Sequence, residues 1–112
     1  MIDLVKLFRK HIQSIFPENS NYESDGDRKI RIKFPLRQSS EVSRYSQAIV
    51  LIFDKLVIDS YAKAESNLEI NKLELYGNSL RRIILVSLKN YDANGPLDLA
   101  HRIEVDDRAL DL

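Results

Sequence analysis

RKIRIKFPL, the sequence of residues 28–36, alternates basic and apolar side chains. Successive side chains of a β-strand point to opposite faces. One face therefore carries the apolar side chains of Ile30, Ile32, Phe34 and Leu36. The other face carries the basic side chains of Lys29, Arg31 and Lys33. Such a strand is typical of an antiparallel sheet that is covered on one side. Pro35 has no N–H to donate, which places it at a sheet edge or where the ladder ends.

The residues before this strand predict a helix followed by a loop. Apolar side chains recur at helical spacing through residues 2–16, and Pro17 disfavours helical backbone in the residue before it. Residues 17–27 carry four acidic and no basic side chains and are rich in turn-forming residues. We expect a loop there.

The residues after the strand allow two interpretations. Residues 48–53, AIVLIF, are rich in β-branched residues and favour a buried strand. Asp54 would then cap a helix that continues to residue 64. The alternative is one long helix from about residue 40, because apolar residues there also fit a spacing of three and four. We favour the strand followed by the helix.

The last third of the chain predicts a long helix and a short strand. Residues 66–69, SNLE, have the form of a capping box, and an apolar helical stripe continues to about residue 90. Gly77 predicts a kink or break, with Ser79 capping a second helix. Residues 94–96, NGP, end the segment, and residues 101–105 alternate as a strand would.

These segments predict a single α+β domain over residues 1–112. The expected order is α-β-β-α-α-β, with helices packed on one face of a small antiparallel sheet of about three strands. Four tyrosines sit where we expect side chains to face the core: Tyr45, Tyr61, Tyr76 and Tyr91.

Composition excludes some functions and leaves others open. The chain has no cysteine, which rules out disulfides and thiolate metal sites. Its 17 basic and 17 acidic residues cancel, so the net charge gives no argument for nucleic acid or membrane. The longest apolar run is too short to span a bilayer, and the N-terminal residues lack the uninterrupted apolar stretch and the small-residue cleavage site of a signal peptide. We therefore expect a soluble, cytoplasmic protein.

Residues that could support catalysis are sparse. His11 and His101 have no metal-ligand partner at a suitable spacing, and we interpret both as structural. The acidic pairs fit turns better than cation sites: Asp25 with Asp27, and Asp106 with Asp107. Three glycines are too few for a phosphate-binding loop. We expect no catalytic residue, cofactor, metal or small-molecule ligand.

Two surface features carry the functional hypotheses. The first is an apolar surplus over residues 48–53, 56–58 and 83–86, which indicates a protein interface unless the fold covers it completely. The first hypothesis is therefore a non-enzymatic protein-interaction domain that associates with itself or with another protein.

The second feature is the cationic face of the strand at residues 28–36. Lys29, Arg31 and Lys33, flanked by Arg28 and Arg37, could bind nucleic-acid phosphates. Alternatively, they form an ordinary solvated face, against which an acidic segment could lie. A third hypothesis is an enzyme assembled from distant segments, for example His101 with an acidic residue.

Overall fold

The computed structural model describes residues 2–36 and 44–110, which form three helices, six strands and two short 3-10 turns. In chain order these elements are α1 (Leu4–Ile12), β1 (Asn21–Ser24), β2 (Lys29–Lys33), β3 (Pro35–Leu36), β4 (Arg44–Tyr45), β5 (Ile49–Phe53), α2 (Lys55–Ser66), α3 (Ile70–Ser87), a turn at Leu88–Asn90, β6 (His101–Val105) and a turn at Asp107–Leu110. The predicted α+β class is confirmed.

The main sheet has four strands in the order β1-β2-β5-β6, and it is mixed. β1, β2 and β5 are antiparallel neighbours, whereas β6 pairs parallel to β5. The prediction of an antiparallel sheet of about three strands was therefore wrong in strand number and in the direction of the last strand. α2 and α3 carry the chain back across the sheet between β5 and β6, and such a crossover delivers a parallel strand.

β1 lies inside the segment that the sequence predicted to be a loop. Its four residues, NYES, are polar and mostly exposed, so they carry no alternating apolar signal. The pairing comes from a tight connection to β2, in which the Asp25 N–H donates to the Lys29 carbonyl at 2.9 Å. Gly26 allows this turn because its φ of 83° is unfavourable for other residues. Turn geometry, rather than strand propensity, creates this edge strand.

Residues 48–64 confirm the strand followed by a helix. All five residues of β5 are buried, and Asp54 occupies the N-cap position of α2, although its side chain makes no capping bond. The alternative prediction, one long helix from about residue 40, was wrong for the residues of that span that the structure describes. Its beginning falls in residues 37–43, which lie outside the described residues.

β3 pairs with β4 as a separate two-stranded ribbon.

The core lies between the inner face of the sheet and the three helices. Phe8 of α1 stacks on Phe53 of β5 with ring centroids 4.1 Å apart, and it also contacts Tyr61 of α2. The Tyr61 hydroxyl donates to the Tyr76 carbonyl at 2.6 Å, which joins α2 to α3. Burial raises the pKa of Tyr61. Tyr45, expected to face the core, is instead exposed in the ribbon.

α3 runs without a break through Gly77, so the predicted kink was wrong. The glycine serves close packing: a Cβ there would lie 3.0 Å from Nδ1 of His11 in α1. Ser79 is buried inside the helix and caps nothing. The predicted capping box does not form either, because Ser66 is the last residue of α2 and the chain turns at Leu68 with φ 55°.

Candidate interaction surface

The cationic side chains of β2 share one face of the sheet, as their alternation predicts. Lys29, Arg31 and Lys33 are partly exposed, while Ile30 and Ile32 between them are fully buried against the helices. We call the side of the sheet that carries the basic residues the outer face. The structure therefore brings the three predicted site residues together. Arg37, which was expected to flank them, lies outside the described residues.

Acidic residues of the β1 hairpin lie close to the centre of this cationic row. Glu23 is the cross-strand partner of Arg31, and the Asp25 carboxylate lies 3.8 Å from the Arg31 guanidinium. Lys29 and Lys33 form no ion pair within residues 2–36 and 44–110. The charge of Arg31 is therefore partly compensated, whereas the two lysines keep theirs.

The outer face also contains two apolar residues of β5. Val50 lies between Arg31 and Arg102 in the cross-strand register, and Ile52 lies opposite Lys29. Both are buried, although neither belongs to the core cluster beneath the helices. Long basic side chains can cover apolar surface with their methylene stems. The register places basic residues next to Val50 and Ile52, where such stems would shield the two side chains from water without any ligand.

His101 contacts the C-terminal end of α3. Its Nε2 lies 3.1 Å from the Ser87 carbonyl oxygen and 3.2 Å from the Ser87 hydroxyl. An imidazole N–H that donates to a last-turn carbonyl is a helix cap. Glu104 points to the other face of β6, and among the described residues no acidic side chain forms an ion pair with His101.

His11 packs between α1 and α3. Its ring meets Tyr61 edge-on, and its Nε2 is buried without a hydrogen-bond partner in the described part of the chain. Burial, then the positive charges of Lys10 and Arg81, lower the pKa of His11 below 6.5. Among the described residues, no three His, Asp or Glu side chains are arranged to hold a metal ion.

A groove that the sequence did not reveal lies between α3 and β6. Its volume is about 550 Å³. The lining combines basic, acidic, hydroxyl and apolar side chains: Ser79, Arg82, Ile83, Val86, Ser87, Arg102, Ile103, Glu104 and Arg108. These residues come from two segments separated by the loop at residues 91–100, so no single stretch of sequence shows the whole groove. We call it the α3–β6 groove.

One wall of the α3–β6 groove is a strand edge. β6 is the last strand of the sheet, and among the described residues no strand pairs with its second edge. The His101 N–H donates to the Ala48 carbonyl, and the Val105 carbonyl accepts from the Asp54 N–H. The backbone groups of the odd-numbered residues of β6 therefore face β5. The N–H and C=O groups of Arg102 and Glu104 therefore point into the groove.

The other wall is a stripe of α3 that includes exposed apolar side chains. Val86 is 58% exposed, and Leu75, three turns earlier on the same side of α3 but outside the groove lining, is 56% exposed. The apolar surplus predicted for residues 83–86 is thus partly left on the surface, whereas residues 48–53 are wholly buried. An unpaired strand edge beside exposed apolar side chains is characteristic of surfaces that add a strand from another chain.

In the described segments, no helix has the length and apolar character needed to cross a membrane. No protein-family model, curated protein or solved structure matches the chain.

Proposed function

We propose that this chain is a protein-interaction domain, not an enzyme, and that it associates with itself. The observation that carries the proposal is the α3–β6 groove, in which backbone groups of β6 that no described strand pairs with lie beside the exposed Val86. Unpaired edge groups and exposed apolar area both gain from contact with a second protein surface. The absence of cysteine fits a reducing cytoplasm, where we place the protein.

Sedimentation velocity over a wide range of protein concentrations tests this function. We expect a reversible shift from a 13.0 kDa monomer to a dimer as the concentration rises. The dimer requires no metal or other ligand, so treatment with a chelator should leave its dissociation constant unchanged. A chain that stays monomeric at the highest attainable concentration would contradict self-association.

A second candidate function is nucleic-acid binding by the outer face of the sheet. It is favoured by the alignment of Lys29, Arg31 and Lys33 on one strand face, which no helix of the described segments covers. Backbone phosphates can pair with such a row, independently of base sequence. The acidic neighbours of Arg31 reduce the available charge, so this function ranks second.

Fluorescence anisotropy with short random-sequence DNA and RNA tests the second candidate. If Lys29, Arg31 and Lys33 each neutralise one phosphate, the affinity will fall by roughly 40-fold between 50 and 200 mM salt. Arg31→Glu should abolish the binding, while Lys63→Glu on the exposed side of α2 serves as the charge-matched control. No binding at low salt, or equal binding by both variants, would remove the cationic face from consideration.

A further inference from the structure

We infer that the α3–β6 groove pairs with a second copy of this chain, through β6 strands that run antiparallel across a two-fold axis at Ile103. This inference rests on the proposed self-association and names the surface that produces it. The result would be one continuous sheet of eight strands, with β6 and its symmetry mate at the centre.

The backbone of β6 is suited to this pairing. In an antiparallel pair, residues that exchange two hydrogen bonds alternate with residues that exchange none. Arg102 and Glu104 present both backbone groups to the free edge, while Ile103 directs its own toward β5. An axis at Ile103 places each Arg102 opposite the other copy's Glu104. Four backbone hydrogen bonds then form across the interface.

The side chains select the same register. With the axis at Ile103, each Arg102 faces a Glu104 across the interface, so both cross-strand pairs join opposite charges. An axis at Arg102 would place the two arginines opposite each other, and an axis at Glu104 would do the same with the two glutamates. Opposite charges directly across an antiparallel pair are favourable and like charges are not. The sequence RIE at residues 102–104 is thus complementary to itself in one register.

The α3 helices of the two copies enlarge the interface that the β6 strands form. Ser87 of α3 contacts His101 at the start of β6, and Ile83 and Ile103 both line the groove. α3 therefore lies antiparallel to β6, with Ile83 beside Ile103. The two-fold axis therefore brings the α3 stripes of both copies together and covers the exposed Val86. Arg108 already bonds to Asp106 in its own chain, at 2.8 Å. Arg82 is left as the one groove arginine without a partner in this arrangement of the described residues.

Charge reversal at two positions tests the inference by sedimentation velocity. Arg102→Glu alone and Glu104→Arg alone each place like charges opposite each other twice, and each should weaken the dimer by about tenfold or more. The double variant restores both pairs with their signs exchanged, so it should dimerise like the natural sequence. An equimolar mixture of the two single variants should form a heterodimer, because each then supplies the charge that the other lacks.

Controls and further readouts separate this surface from others. Lys63→Glu and Glu74→Arg reverse single charges on exposed positions outside the groove and should leave the dimer unchanged. Arg82→Leu should tighten it, because it removes like charge near the axis. Hydrogen exchange at the Arg102 and Glu104 amides should slow as the protein concentration rises, since the dimer gives these N–H groups partners that the described part of one chain does not supply.

Each remaining outcome overturns the inference in a recognisable way. If the natural chain dimerises and both single variants dimerise equally well, self-association stands but uses another surface. If the double variant stays dissociated, the register at Ile103 is wrong. If the natural chain never dimerises, both the inference and the proposed function fail. The groove would then be tested with extended acidic peptides, whose binding Arg82→Leu should weaken.

Discussion

Replacement of Phe8 with alanine will lower the free energy of unfolding by about 3–5 kcal/mol. Phe8 is fully buried where α1, β5 and α2 meet, stacked on Phe53 and tilted against Tyr61. Truncation to alanine removes a large apolar area from the core and leaves a cavity that three different elements would have to close. Because these elements are held by the rest of the fold, the cavity can collapse only in part.

Urea unfolding at one fixed, low protein concentration measures this loss without a contribution from dimer formation. Phe8→Leu keeps most of the volume and should lose clearly less than Phe8→Ala. Lys6→Ala, on the exposed side of the same helix, should change the free energy of unfolding by no more than about 0.5 kcal/mol. If Phe8→Ala unfolded like Lys6→Ala, the assignment of Phe8 to the core would be wrong.

Replacement of Gly77 with leucine will destabilise the fold by about 2–3 kcal/mol, even though leucine is the better helix former. The Cβ alone would meet His11 Nδ1 at 3.0 Å and an Arg81 guanidinium nitrogen at 3.2 Å. That guanidinium donates to the His11 carbonyl at 2.9 Å. A larger side chain therefore pushes α1 away from α3 and breaks a hydrogen bond between the two helices.

Glu74→Leu is the matched control, since it places the same side chain on an exposed position of α3 and should be nearly neutral. Gly77→Ala should fall between the two, because the gain in helix propensity of about 1 kcal/mol opposes the close contact. His11→Ala should relieve part of the loss in Gly77→Leu, which a double-mutant cycle by urea unfolding would show as coupling. Additive losses would mean that Gly77 and His11 do not pack against each other.

The sequence predicted the elements whose signal is local and repeated. The alternation in residues 28–36 located β2 and its buried face, and the apolar run at residues 48–53 located β5. Both patterns follow burial: every second side chain in β2 is fully buried, and all five side chains of β5 are buried.

The missed features depend on contacts between distant segments. β1 is polar and forms because the Gly26 turn holds it against β2. The kink predicted at Gly77 was wrong because the sequence of α3 alone gives no sign that His11 of α1 packs against the glycine. The same holds for the parallel direction of β6, which depends on the path of two helices.

The candidate site was predicted only in part. The cationic row of Lys29, Arg31 and Lys33 was located correctly, because strand alternation determines it. The α3–β6 groove was missed because its walls lie in two separate segments. One local signal was available: Arg102 and Glu104, two residues apart on an alternating segment, carry opposite charges on one strand face.

The position of β6 in the chain has a consequence for biosynthesis. β5 is the most apolar strand of the sheet, and the backbone groups along one of its edges bond to β6. The ribosome synthesises β6 only after α2 and α3. A nascent chain that has not yet reached His101 therefore carries an apolar strand with an open edge, the kind of segment that aggregates with its neighbours. We expect messages truncated before this codon to yield insoluble protein, and the full-length protein to depend most on chaperones just before synthesis passes β6.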